Sequence, residues 1–208
     1  PGYDRHFSIC EQLGIEMLTV KMLKSGPDMR AIEEKIKDPA VKGIWCIPKY
    51  SNPDGTTYSD DTVRRFAALK PAAPDFRIYW DNAYCIHDHY DKGDTLLNIM
   101  DEVRKTGNEN LVFEFASTSK ISFPGSGISC MVAGKADIEY IKKLLSIQMI
   151  CPDKTNQLRH VRFYKNVAGL KAHMSKHAAL IRPKFEAVNE VLERETKGLG
   201  FVSWSKPR

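Results

Sequence analysis

Lys120 offers the clearest chemistry in the chain. It follows an apolar run, Leu111-Val112-Phe113-Glu114-Phe115, and three small hydroxyl residues, Ser117, Thr118 and Ser119, and it precedes Pro124 and Gly125. That order describes a strand delivering an amine to the edge of a sheet. Such a lysine is either a surface amine or a desolvated amine able to form a Schiff base with a carbonyl cofactor. Two other apolar runs end in polar residues with compatible tasks. Asn52 follows the run that ends at Ile47, and Asp81 and Tyr84 follow Phe76-Arg77-Ile78-Tyr79-Trp80. In a parallel sheet these three positions come from the carboxyl ends of separate strands and converge on one pocket. A carboxylate at Asp81 could hold a proton on a pyridine nitrogen and strengthen the ring as an electron sink. The Tyr84 hydroxyl and the Asn52 amide could bind an oxygen on the same ring, and Ser117 and Ser119 could donate to a phosphate. Taken singly, each has a plainer reading: Asn52-Pro53-Asp54-Gly55 is a turn, Asp81 a cap, Tyr84 a packing residue.

The elements that must position these residues follow from the hydrophobic pattern. Phe7, Cys10 and Leu13 share a helical face ended by Gly14, and residues 16–22 read as a strand. Residues 28–36 form an amphipathic helix with Asp28 as N-cap. Val41 to Ile47 is a strand, Ser59 to Leu69 a helix capped by Ser59 or Asp60, Phe76 to Trp80 a third strand, Leu96 to Lys105 a helix, and Leu111 begins the strand before Lys120. Strands alternating with helices indicate a parallel sheet with right-handed crossovers. Residues 128–134 form a further strand, reached in too few residues for a helical crossover, so it runs antiparallel to the Leu111 strand. Ala136 to Ile150 is helical, and residues 151–156 interrupt the pattern. From Val167 to Leu192 the apolar residues step by three or four, which gives one long helix with a single buried stripe, kinked at Pro183. Gly198 and Gly200 end it, and residues 201–204 read as the first strand of a second, smaller unit.

Composition narrows the function classes. A chain of 208 residues with 42% hydrophobic content can bury a large core. The net charge of +5 is spread over candidate helices with matching acids, so nucleic-acid and membrane binding are not indicated. Five cysteines form no CxxC pair and lie mostly in apolar runs, which suits reduced thiols and a cytoplasmic location. No apolar run approaches the ~18 residues of a membrane span.

Together, Ser51-Asn52-Pro53-Asp54-Gly55, Asp81-Asn82-Ala83-Tyr84 and Ser117-Thr118-Ser119-Lys120 resemble the Asn-Pro-x-Gly, Asp-x-x-Tyr and Ser-x-x-Lys motifs of fold-type-I pyridoxal phosphate enzymes, specifically the class I and II aminotransferase family. Pro1 to Phe7 and Pro124-Gly125-Ser126-Gly127 look most like a bacterial aspartate aminotransferase subgroup. The resemblance implies an α/β fold, part of a mostly parallel sheet flanked by helices, with one antiparallel strand after Lys120 and a long helix leading into a truncated small domain. It implies residues 1–160 as an incomplete cofactor-binding domain and 161–208 as the link to the small one. It further implies pyridoxal 5'-phosphate as cofactor, an amino acid and a 2-oxo acid as substrates, and a homodimeric parent protein. Lys120 would be the Schiff-base lysine and proton shuttle. Asn52, Asp81, Tyr84, Ser117 and Ser119 would bind the cofactor, with Tyr3 an aromatic neighbour of its ring.

Two departures stand out. The family usually carries an arginine for the cofactor phosphate shortly after the lysine, and Gly127 holds that place. The expected substitutes are a nest of amides at residues 125–127 or a cation from Lys154, Arg159 or Arg162. The family's glycine-containing phosphate turn and its substrate-carboxylate arginine fall outside residues 1–208, which leads to the expectation of a fragment with weak or no turnover of its own. Other readings are a lyase or decarboxylase of the same fold, a non-catalytic ligand-sensing module, and an inactive fragment. Cys85, His87, Asp88 and His89 have a metal-ligand composition, although a segment following Asp81 more simply exposes them, and no metal is expected.

Overall fold

The computed structural model of the chain describes residues 3–204. Its centre is a four-stranded sheet in the order β3-β4-β5-β6, formed by β3 (Gly43–Cys46), β4 (Arg77–Asp81), β5 (Val112–Ser117) and β6 (Ser129–Val132). β3, β4 and β5 are parallel, and β6 pairs antiparallel with β5. The mixed sheet therefore follows the expected pattern. Eleven residues separate β5 from β6, too few for a helical crossover.

Side chains alternate across the sheet. Ile78, Trp80 and Val112 point to one face and are fully buried. They meet α2 (Met29–Lys35), α3 (Asp60–Ala67) and α4 (Ile99–Thr106) through Ile32, Val63, Phe66, Ile99 and Val103. These helices are short, so their ends matter. Asp28 accepts from the amides of Arg30 and Ala31, Ser59 from Thr62 and Asn98 from Met100, each cap contributing on the order of 1 kcal/mol. Gly107, at φ +72°, closes α4 in the left-handed conformation that glycine adopts without strain.

The opposite face carries Trp45, Tyr79, Asp81, Phe113 and Phe115. Across it lies α1 (Asp4–Gln12), which buries none of its own residues. α5 (Lys135–Gln148) is tied to the sheet by Arg77, whose guanidinium lies 3.1 Å from Asp137 Oδ1. α6 (Lys154–Tyr164) and α7 (Val167–Thr196) then pack on the turn that follows β5. The division expected after residue 160 falls inside α6.

Three expectations fail. Residues 16–21 carry no strand pairing; only β1 (Met22–Leu23) and β2 (Gly26–Pro27) form a small hairpin there. Residues 201–204 are irregular and form no strand. The stripe of α7 is buried only in its first half, at Met174 and Ala178, while Val167 and Val188 are exposed. The helix passes through Pro183 without interruption. None of the helices among the described residues is long and apolar enough to cross a membrane.

Candidate functional site

The carboxyl ends of β3, β4 and β5 stand side by side and carry the residues singled out by their chemistry. Asp81 is the last residue of β4, in register with Phe115 of β5. Two residues further along, Ser117 ends β5 on the face that Asp81 occupies. Tyr84 follows in the loop after β4. The Lys120 amine stands over the Tyr84 ring, 4.3 Å from its centre. Asn52 lies half-buried in the loop after β3, in a tight turn where the Gly55 amide donates to the Ser51 carbonyl. Lys120 itself is exposed, so among the described residues it is not the desolvated amine that its strand-end position suggested. The sheet edge delivers it to the surface of a turn.

His6 lies beside these residues, although its type and place in the chain do not single it out. Its ring packs on Trp45 with centroids 3.7 Å apart, Trp45 stacks on Tyr79 at 5.5 Å, and Tyr79 stacks on Phe115 at 6.5 Å. Burial holds the imidazole below its ordinary pKa; the Asp81 carboxylate opposes this and the Lys120 cation reinforces it, so both charges reach the ring. Tyr3, by contrast, is exposed at the N-terminus of α1 and meets the edge of His6, with ring centroids 6.1 Å apart.

Around position 127 the backbone packs tightly. A side chain at position 127 would place its Cβ 2.5 Å from Ser119 Oγ and 2.8 Å from the Ser119 amide nitrogen. Gly127 is thus required by close approach to the residue before Lys120, and an arginine has no room there. The nest is partly committed elsewhere, because the Ser126 amide donates to the Phe123 carbonyl. Lys154, Arg159 and Arg162 are all exposed. The side of α6 that meets the lysine turn is Asn156, His160 and Tyr164, at four-residue spacing. Asn156 Nδ2 donates to the Ser126 carbonyl at 2.7 Å, fastening α6 to the glycine loop. Ser117 Oγ accepts from the Ser119 amide, which leaves its own proton available.

The four residues of metal-ligand type after β4 separate instead of converging, and no group of three His, Cys, Asp or Glu side chains among the described residues could hold a metal. The Cys85 carbonyl accepts from Lys49 Nζ at 3.0 Å, and Asp88 Oδ1 accepts from Lys49 at 2.8 Å and from the Tyr50 hydroxyl at 2.6 Å. Burial pushes the Asp88 carboxyl up, but the Lys49 and Tyr50 hydrogen bonds outweigh it and hold the group below its usual value. Lys49 is buried. Gly93 packs so closely that a Cβ there would fall 2.2 Å from Asp88 Cγ. His87 Nε2 donates to the Lys120 carbonyl at 3.3 Å, and His89 packs against Phe185 of α7. Beneath this loop, on the helix-covered face, Glu114 and Asn82 line a cavity of about 410 Å³. The Asn82 amide donates to Glu114 Oε1.

With this geometry in place, the whole chain, residues 1–208, matches the family model described as aspartate amino-transferase. It is 42% identical over 207 residues to an aspartate aminotransferase of Corynebacterium glutamicum and 44% identical over 209 residues to a putative aminotransferase of Mycolicibacterium smegmatis. The chain spans about half of these relatives, 48% and 49% of their lengths. Among solved structures, an aspartate transaminase from C. glutamicum superposes with a TM-score of 0.97 at 42% identity, covering 100% of this chain and 49% of that one. A putative aminotransferase from Corynebacterium diphtheriae gives 0.96 at 46% identity, covering 51% of that chain. An α-aminoadipate aminotransferase from Thermus thermophilus, solved with N-(5'-phosphopyridoxyl)-L-leucine, shares the fold at 22% identity with a TM-score of 0.79.

Proposed function

The chain belongs to the aspartate aminotransferase family, and from that premise we propose that it carries the lysine-bearing half of a pyridoxal phosphate-dependent transaminase site, acting between an aspartate-like amino acid and a 2-oxo acid, with Lys120 as the lysine that bonds to the cofactor. The observation that supports this most is the grouping of an amine, a phenol and a carboxylate at one sheet end. Lys120 Nζ is over the ring of Tyr84, and the Asp81 carboxylate and the Lys120 cation both act on the His6 imidazole. The donor set fits the ring of that cofactor: an acid for its nitrogen in Asp81, and hydroxyl and amide donors for its oxygen in Tyr84 and Asn52. Ser117 and Ser119 would hold the phosphate by their hydroxyls without an arginine, because Gly127 leaves no room for one.

Pyridoxal phosphate, when bound, supplies an aldehyde that condenses with amines and a ring that takes up the electron pair released at the substrate Cα. The residues of the chain supply the rest. Asp81 would hold a proton at the ring nitrogen. Tyr84 lies beneath the Lys120 amine and limits where it can stand. Lys120 Nζ would take the proton from the substrate Cα and deliver it to the carbon of the cofactor's aldehyde. Tyr3 and His6 lie on the same open face, and the Asp81 carboxylate acts on the His6 ring. Free thiols at all five cysteines support a cytoplasmic setting. Exposed apolar residues on α5, among them Tyr140, Leu144 and Ile147, support a homodimeric whole protein.

The test is covalent trapping. The 208-residue chain is mixed with pyridoxal phosphate, reduced with borohydride and digested, and the modified peptide is identified by mass. The expected result is modification at Lys120 that disappears in Lys120→Ala, followed by amino transfer from aspartate to 2-oxoglutarate once the chain is joined to the rest of its protein. Trapping spread over surface lysines, with Lys120 no different from them, would overturn the assignment.

A further inference from the structure

Three histidines from three elements close on residues 118–122, the turn that carries Lys120. His87 donates from Nε2 to the Lys120 carbonyl, and His173 of α7 donates from Nε2 to the Ile121 carbonyl at 3.0 Å. His160 of α6 faces the hydroxyls: its Nε2 lies 2.9 Å from Thr118 Oγ1 and 3.1 Å from Ser122 Oγ. Of the three, His160 is the buried one. Its other nitrogen settles its tautomer, since Nδ1 is 2.9 Å from the Asn156 carbonyl, which can only accept. Nδ1 therefore carries the proton and Nε2 presents a lone pair.

That tautomer assigns the protons of the cluster. Thr118 Oγ1 accepts the Ile128 amide at 2.9 Å and passes its own proton to His160. Ser122 Oγ donates to the Thr118 carbonyl at 2.9 Å. The cluster is closed, with each hydroxyl proton given to one acceptor. Thr118 stands two residues before Lys120 and Ser122 two residues after it, so His160 holds the first end of the turn through Thr118, and the Ser122 hydroxyl ties the second end back to the first through the Thr118 carbonyl. Ile121, the next residue after Lys120, sits in a small core with Tyr164 and Met174, and Tyr164 is one helical turn beyond His160. Because the Lys120 side chain is exposed, its own burial does not locate it; the backbone of this turn does.

We propose that His160 is a positioning residue that sets where the Lys120 amine stands against Tyr84. The proposal deepens the reading of Lys120 as the cofactor-bonding amine and rests on that reading for its functional meaning, but its geometry can be tested without cofactor. The chain is reductively methylated with ¹³C-formaldehyde, and the Lys120 methyl signal is identified by its loss in Lys120→Arg. An amine over the face of Tyr84 carries an upfield ring-current shift. His160→Leu and Thr118→Val, which remove the acceptor and the donor of one bond, are expected to lose half or more of that shift. His160→Gln and Thr118→Ser, which keep an acceptor and a donor, are expected to retain it. A wild-type signal without ring shift, or an unchanged shift in both disruptive variants alongside a lowered melting temperature, would overturn the proposal; if His160→Leu does not fold, Thr118→Val decides alone. The trapping experiment is the separate arm: failure to modify wild-type Lys120 with pyridoxal phosphate refutes the cofactor reading while leaving the shift measurement to judge His160.

Discussion

The two faces of the four-stranded sheet come from the same strands and have different environments. On one, Ile78, Trp80 and Val112 are wholly enclosed by three capped helices. On the other, Trp45 remains 45% exposed, and the aromatic row from His6 to Phe115 ends at Asp81. The enclosed face stabilises the domain by removing apolar surface from water, about 1.5–3 kcal/mol for each large side chain. The open face contributes less to stability and carries the polar groups that a ligand would meet. One set of strands thus separates holding the fold from presenting the chemistry, with alternate residues assigned to each.

The sharpest way to test this contrast is to truncate one indole on each face. Trp80→Ala should cost ~3–5 kcal/mol in a denaturant melt, as a large core truncation does, whereas Trp45→Ala should cost about 1 kcal/mol. Equal losses would break the comparison. Next in size is the Lys49–Asp88 pair, which braces the loop joining the two faces. Asp88→Asn leaves a buried ammonium without its charge partner and should destabilise the chain by about 2–3 kcal/mol, less than for a wholly enclosed pair because Asp88 is 40% exposed.

Gly127→Ala comes third, at about 1–3 kcal/mol, because its Cβ must displace Ser119. It should also alter the Lys120 methyl signal, whereas a surface alanine change would not. The smallest effect is a pH slope from Glu114. Burial raises this carboxyl above its ordinary value, against the opposing Asn82 hydrogen bond, so the folded state keeps the proton to higher pH than the unfolded state does. The stability this contributes is present in full below the unfolded value near 4.5 and is lost as pH rises through the folded value. Glu114→Gln lacks that slope, so melts of the two proteins should diverge in favour of the variant from pH 4 to pH 7.

Much of this was legible in the sequence wherever a local pattern settled the matter. The caps at Asp28 and Ser59, the antiparallel β6 and the start of α7 each follow from a few adjacent residues. What escaped depended on partners far along the chain. α6 carries no apolar stripe, since its buried positions are Asn156, His160 and Tyr164, and their reason for being buried is the turn some forty residues earlier. Lys49 looks like a loop lysine until Asp88 is placed beside it. Gly127 reads as a missing arginine, whereas the structure shows a close approach to Ser119 that any side chain there must displace. In the site, Lys120, Tyr84, Asp81 and Ser117 were legible from residue type and strand-end position. His6 and His160 were not, because nothing within ten residues of either implies a strand end.

α7 links the two loops that flank the site. Arg182 donates to the His89 carbonyl in the loop after β4, and His173 donates to the Ile121 carbonyl in the turn after β5. The two anchoring residues are nine positions apart, about 13 Å along a single rod. A rod attached at two points turns any tilt of its own into a common displacement of both loops, and the spacing between them is preserved. Mechanically, the Tyr84 and Lys120 segments behave as one part mounted on two bolts, and amide exchange in the two loops should rise and fall together when α7 is loosened.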